Sequence, residues 1–226
     1  MERQRTIYAT PALHLTPGSL VLDGQVSPSP QQFYERVLAF ADAERRLPLP
    51  AQSMWEIFPF EHETLRTKPL DPLVLPEPPR HGEDPSQCRV CARGDERAAW
   101  TDDRWMLVRF SEPLGLPFGA MLTPRAHLDL GDLDDEHAAD LGLLTVRLDR
   151  AIRALGGIGR VHVNKWGDGG AHLHVMFLAR PAGLLQLRGS NLSLWEEMLP
   201  RVPLDEAAEA LHVVSQSLAA WRGRAH

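Results

Sequence analysis

The sequence predicts an α+β domain, an antiparallel sheet with helices packed on one face, and three observations carry that prediction. From Trp105 to Leu178 the patterns run strand, strand, helix, strand, strand, and segregated runs of this kind build an antiparallel sheet with helices to one side. The two last strand patterns flank Gly167-Asp168-Gly169-Gly170, a turn-rich stretch that reads as a hairpin connection. Between the strand pairs lies the strongest amphipathic run in the chain.

Taken in order, residues 6–26 alternate weakly, as in Leu20-Val21-Leu22, and predict one or two short strands. Ser29-Pro30-Gln31-Gln32 reads as a helix start with proline in the first turn. Phe33, Val37, Leu38 and Phe40-Ala41 follow at helical spacing, carrying that helix to about Arg46. Nine of the 19 prolines fall between Pro48 and Pro85, which excludes a helix and makes a poor central strand. That stretch reads as a proline-rich arm, anchored by the aromatics of Trp55-Glu56-Ile57-Phe58-Pro59-Phe60. Trp105 to Phe110 is a strand, Glu112 to Pro117 a turn-rich connection, and Gly119 to Thr123 a second strand ended by Pro124. Asp132-Leu133-Asp134-Asp135-Glu136 supplies capping and acidic residues to a helix with the stripe Leu141, Leu144, Leu148, Ile152 and Leu155, stopped by Gly156-Gly157. After the hairpin, a helix is expected from about Asp205 to Ala220, with Ala208, Leu211, Val214 or Ser215, and Leu218 inward. The organisation that follows is an N-terminal extension over 1–85, a main domain over 86–181, and a loop and helix over 182–226.

Composition narrows the function. The chain has 226 residues, 43% of them hydrophobic and 24% charged, with a formal charge of −6. That is ordinary globular composition. Net acidity argues against a nucleic-acid polymer as partner while leaving room for a local basic pocket. Apolar stretches are broken well short of a membrane span, and the start of the chain has no apolar signal core. A cytoplasmic protein without a membrane partner is expected. Cys88 and Cys91 are the only cysteines, too few for a disulfide framework.

Those two cysteines have the C-x-x-C spacing by which two thiolates reach one zinc ion. The same spacing serves a redox pair, although the helix-opening context of a thioredoxin-like site is absent. Zinc takes two further ligands, commonly neutral imidazoles; His127 after the second strand and His172 at the start of the last strand are the candidates. Alternate residues of a strand share a face. His172, His174 and Met176 therefore point one way, and Ala171, Leu173, Val175 and Phe177 form a core face on the other.

Cys88-x-x-Cys91, Trp100 with Asp102-Asp103, Pro117 to His127, the long helix, and Asn164 … Asp168-Gly169-Gly170 … His172-Leu173-His174 together resemble the histidine triad (HIT) superfamily of nucleotide hydrolases and transferases. The resemblance covers residues 86–181. It implies a HIT-like antiparallel sheet and nucleophilic attack by the middle motif histidine on a nucleotide's α-phosphate. In one register His172 is first, His174 is the nucleophile and Met176 holds the third position. That register places Phe177-Leu178-Ala179-Arg180 over the family's strand ending. It also completes a Cys88, Cys91, His127, His172 set similar to the structural zinc site of bacterial members. The alternative register makes His172 the nucleophile and costs one zinc ligand. The resemblance further implies substrate contacts from Asn164, Gly169, Gly170 and Arg180. Trp166 is a candidate to stack on a base, and His162 on the partner strand a candidate proton donor. Met176, a weak acceptor, and a connection shorter than the family's leave two outcomes open. One is a nucleotide hydrolase or nucleotidyl transferase with structural zinc; the other is a catalytically silent nucleotide-binding or protein-interaction module. A zinc-held scaffold without a small-molecule site is the third possibility, and a homodimer is compatible with the family's habits.

Overall fold

In the computed structural model, which describes residues 30–61, 65–69 and 71–226, the amphipathic run after Asp134 forms helix α3 (Asp135–Ala154). Asp134 caps it by accepting the His137 amide at 2.8 Å. Gly156 and Gly157 end it with φ of 81° and 66°, a left-handed conformation that a residue with a Cβ rarely adopts. Its stripe buries Leu144, Leu148, Ala151 and Ile152.

The strand patterns become a six-stranded sheet in the order β4-β5-β3-β2-β1-β6, antiparallel throughout. The strands are β1 (Ala98–Thr101), β2 (Trp105–Arg109), β3 (Phe118–Pro124), β4 (Ile158–Asn164), β5 (Val175–Pro181) and β6 (Arg224–Ala225). One sheet face packs α3 and helix α5 (Leu204–Ala219) around Trp100, Trp105, Leu107, Leu122 and Phe177, which are almost wholly removed from water. This is the expected α+β arrangement. Burial of side chains this large is the main favourable term holding the sheet to its helices.

Three local expectations change. The strand expected to begin at Ala171 begins at Val175, so ten residues (165–174) join β4 to β5 in place of a tight turn. Two short strands, β1 and β6, were not expected. Within α5, Ala208 is exposed and only Val214, Ser215 and Leu218 are buried.

On the opposite sheet face the C-terminal segment, including helix α4 (Leu192–Met198), covers one end through Leu116, Leu178, Leu187 and Leu192. The aromatic stretch after Pro50 reaches this segment. Trp195 Nε1 donates to the Ile57 carbonyl at 2.9 Å, and Gln52 Nε2 to Ser190 Oγ at 2.9 Å. Trp55 and Phe60 themselves stay about half exposed, at 56% and 48%.

The chain divides into two compact units, the smaller drawn from Met1–Pro48 and Lys68–Leu73, the larger from Leu49–Thr67 and Val74–His226. In the smaller unit helix α1 spans Pro30–Phe40, ending earlier than Arg46. The Tyr34 hydroxyl donates to the Asp71 carbonyl at 2.9 Å and pairs with the Arg45 guanidinium. The strands expected over 6–26 lie outside the described residues. Among the described residues no helix is long and apolar enough to cross a membrane.

Candidate metal centre and adjoining cavity

Residues 81–97 arch over the end of the sheet that the C-terminal segment leaves open. This hook begins at Gly82, whose φ of 81° and close approach to Cys88, 3.4 Å from Cβ to Cβ for an added methyl, both favour glycine. Asp84 takes the Ser86 amide at 2.9 Å and turns the chain into Cys88. Cys88 stands immediately before helix α2 (Arg89–Arg93), and Cys91 lies within it. Cys88 thus does open a short helix, contrary to the expectation from sequence.

The hook and the connection that leads into β5 are held at several points. The Ala171 amide donates to the His81 carbonyl at 3.0 Å, and the Leu173 amide to the Leu128 carbonyl at 2.8 Å. Thr123 Oγ1 donates to the Leu173 carbonyl at 2.6 Å. These bonds occupy the backbone of 171–173 with loop partners, which is why regular pairing with β3 starts only at Val175. Arg125 bridges from the end of β3 to Asp95 at 3.0 Å, fixing the loop that carries His127 beside the hook. Arg80 bonds Asp129 at 2.7 Å and the Gly167 carbonyl at 3.1 Å.

Four donors meet where these segments converge. The ligand atoms of Cys88, Cys91, His127 and His172 all lie within 4.8 Å of one another. Cys88 Sγ is 3.4 Å from His172 Nδ1, and Cys91 Sγ is 3.4 Å from His127 Nδ1 and 3.5 Å from His172 Nδ1. His172 Nε2–H donates to the Pro124 carbonyl at 2.8 Å. That bond places the ring proton on Nε2 and leaves the Nδ1 lone pair facing the thiols, the orientation in which histidine ligates metals. Burial lowers the His172 pKa, partly countered by the bond to the Pro124 carbonyl, and the like charge of His127 and His174 lowers it further, which favours the neutral ring. The Cys91 thiol, without a cation, is pushed up to about 11, by burial and then by its bond to Cys88 and the charge there. A reactive redox thiol moves the other way. The set fits a cation that accepts sulfur and imidazole ligands, whose charge would let both thiols ionise.

Beside this cluster opens a cavity of about 340 Å³. Its floor is the sheet face made by Met106 and Val108 of β2 with Met121 and Thr123 of β3, which pair opposite one another. His174 forms part of its wall, with Gly169 and Gly170 next to it. His174 Nδ1–H donates to the His172 carbonyl at 2.9 Å, so its Nε2 keeps the free lone pair. A Cβ on Gly170 would lie 3.9 Å from His174 Cε1, which puts the glycine backbone against the ring. His172 is only 3% exposed. His172 serves the cluster and His174 serves the cavity.

The remaining candidates lie elsewhere on the sheet. Asn164 ends β4 opposite Met176, and Met176 also pairs with Met121. Neither Asn164 nor Met176 lines the cavity, and Trp166 is 48% exposed on the β4–β5 connection. Arg180 is 6% exposed, and its guanidinium donates to the Pro181 carbonyl at 2.9 Å and the Leu184 carbonyl at 3.2 Å. His162 is held below the ordinary histidine range by burial and then by the charge of Arg180. The cavity wall also contains residues that sequence reasoning passed over: His81 and the arginines Arg89, Arg93, Arg97 and Arg109. The four-residue spacing of the first three arginines was the available signal.

No family model and no curated protein matches the chain. Solved structures of similar shape include a zinc-bound histidine triad family protein from Mycobacterium smegmatis, 21% identical, covering 60% of this chain and 96% of that one with a TM-score of 0.44. A histidine triad protein from Marinobacter aquaeolei VT8 is 18% identical over 57% of this chain and 94% of its own, with a TM-score of 0.45. A uridylyltransferase is 20% identical over 58% of this chain and 44% of its own, with a TM-score of 0.39.

Proposed function

We propose that the chain is a HIT-like nucleotide hydrolase or nucleotidyl transferase in which His174 is the nucleophile and Cys88, Cys91, His127 and His172 hold a structural zinc ion. The observation that carries this reading is the His174 ring, whose Nδ1–H is fixed on the His172 carbonyl at 2.9 Å beside a cavity walled by Gly169 and Gly170. A neutral imidazole with its proton pinned on one nitrogen presents the other nitrogen as a nucleophile near pH 7. The register with His172 as first motif residue is supported by its Nδ1 contacts with both cysteines.

In the proposed reaction the His174 Nε2 lone pair forms a bond to the α-phosphorus. The bond from phosphorus to the leaving group breaks, and its electron pair departs with that group. Water then attacks phosphorus, the P–N bond breaks, and the pair returns to Nε2 while the water proton passes to solvent. A second acceptor in place of water makes the same step a transfer. The Gly169-Gly170 amides are suited to phosphate oxygens because no side chain stands in front of them, and Asn164, which ends β4 outside the cavity lining, is proposed for ribose or phosphate. Zinc bound at the two thiolates and two imidazoles supplies the charge that clips the hook to the sheet; no chemical step passes through it.

The test is intact-mass detection of a nucleotidyl adduct during incubation of the zinc-loaded chain with adenosine and guanosine phosphoramidates and polyphosphates. The expected result is a covalent nucleoside monophosphate adduct that is lost in His174→Asn, with turnover falling on the order of 10³-fold or more. Measurable nucleotide binding without adduct or turnover would make this a silent binding module and overturn the catalytic reading.

A further inference from the structure

The cavity beside His174 holds one titrating side chain that the proposed reaction does not use. Among the described residues no aspartate, glutamate, lysine or tyrosine lines it. Its arginines stay protonated and do not serve as acids. Cys88 and His172 belong to the metal cluster, and His174 is the nucleophile. Met176, in the third motif position, lies outside the lining, and a thioether has no proton to give. What remains is His81, from the last residues of the proline-rich arm. The backbone fixes it there. The His81 carbonyl accepts the Ala171 amide at 3.0 Å, and His81 forms a parallel bridge with Gly170. Gly170 stands between the two histidines: a Cβ on it would lie 3.8 Å from the His81 carbonyl oxygen and 3.9 Å from His174 Cε1. The preceding residue holds the same peptide. Arg80 Nε donates to Glu83 at 2.7 Å, and its Nη1 donates to Asp129 at 2.7 Å and to the Gly167 carbonyl at 3.1 Å. The His81 ring takes part in none of these ties.

We infer that His81 is the acid of the reaction, giving its proton to the group that leaves phosphorus where the third motif residue has none to give. The inference rests on His174 as nucleophile and adds the partner that a poor leaving group requires. As the His174 Nε2 lone pair bonds to the α-phosphorus, the bond from phosphorus to the leaving atom breaks. Its electron pair stays on that atom and takes a proton from the His81 imidazolium, so the group departs protonated and His81 is left neutral. Neutral His81 then accepts the proton of the attacking water, in place of solvent, as the P–N bond breaks and its pair returns to Nε2. The ring ends the cycle protonated, as it began. Imidazole suits both halves because it gains and loses a proton near neutral pH, and one intervening water is enough to extend its reach. His81 is exposed at the cavity, which lets it exchange protons with solvent between turnovers. The arm thereby contributes a reacting group as well as the start of the hook.

The experiment follows adduct formation by the zinc-loaded full chain under single turnover, from an alkylamine phosphoramidate of adenosine and from the 4-nitrophenyl ester of AMP. The amine needs a proton to leave, whereas nitrophenolate leaves as the anion. His81→Ala keeps the backbone bond to Ala171 and removes only the ring. It is expected to slow the phosphoramidate by ~10²-fold or more and the nitrophenyl ester by no more than about threefold. Added imidazole should restore at least ~10-fold of the lost phosphoramidate rate. His212→Gln, at an exposed position of α5 on the other sheet face, is the control and leaves both rates unchanged. Equal slowing of the two compounds would make His81 a structural tie, and an unslowed phosphoramidate would leave it outside the chemistry. Either result overturns the inference while leaving His174 in its role. A chain that forms no adduct even from the nitrophenyl ester loses both the nucleophile and its acid.

Discussion

The two ends of strand β5 share one sheet face and have opposite fates. Just before its start, His172 and His174 meet the hook of residues 81–97, where two of its cysteines join two histidines in a set of four metal-type donors with a cavity of about 340 Å³ alongside. At its finish, Leu178 is sealed under Leu116, Leu187 and Leu192, and Arg180 is folded onto the carbonyls of Pro181 and Leu184. Strand alternation alone makes the two ends equivalent. What differs is the covering segment: short, polar and arched over the histidines, long and leucine-rich over Leu178. An alternating pattern therefore names a face, and the chain that crosses it decides whether the face becomes a site or a core.

The largest effect expected from breaking this contrast is loss of the metal ligands. Chelation, or His172→Ala, leaves the hook without its clamp and two thiols facing one another. The midpoint of thermal unfolding should fall by about 10 °C or more, measured by calorimetry with and without added zinc. An unchanged midpoint would mean that the hook stands without a cation. A smaller effect is expected at the closed end. Arg180→Ala strips donors from two carbonyls and opens the packing over Gly159, costing about 2–3 kcal/mol and lowering the midpoint by about 4–10 °C. Adduct formation at His174 should stay within twofold; a large loss of activity would return Arg180 to the substrate side of the comparison.

The smallest effect concerns His162, also at the closed end. Burial and the neighbouring Arg180 lower its proton affinity in the folded chain, so the unfolded chain takes the proton first as pH falls. Its contribution to stability is complete above the ordinary histidine range and is lost as pH drops through about 6.5 and on toward the lowered folded value. His162→Gln should flatten the fall in unfolding midpoint between pH 7.5 and 5 by a few degrees relative to the parent. Parallel curves for the two proteins would show that His162 is free to titrate.

The sequence showed most clearly what depends on local chemistry. The segment Asp132 to Glu136, the leucine stripe and Gly156-Gly157 bracket α3 (Asp135–Ala154) to within a few residues at its start and closely at its end, because capping, periodicity and positive φ all act over a few positions. Cys88, Cys91, His127 and His172 were legible as metal-type residues from spacing and ligand chemistry, with the grouping suggested by family resemblance. The arginine wall was hidden because α2 is only five residues long, too short for the four-residue spacing of Arg89, Arg93 and Arg97 to mark a face; its orientation comes from the hook's ties to Ala171 and Arg125. The start of β5 at Val175 was hidden for a related reason. The amides of Ala171 and Leu173 bond to His81 and Leu128, partners distant in sequence that no strand pattern announces. Likewise β6 exists because Gly223, with φ of 77°, turns the chain against Trp100 after α5.

His172 touches the cluster through its ring and His174 through its carbonyl. One residue is thereby both anchor and rudder: its side chain sets where the peptide lies, and that peptide steers the next ring but one. Starvation for the ion would then disarm the protein before dismantling it, since a loosened carbonyl releases the steering long before the leucine-sealed far side lets go.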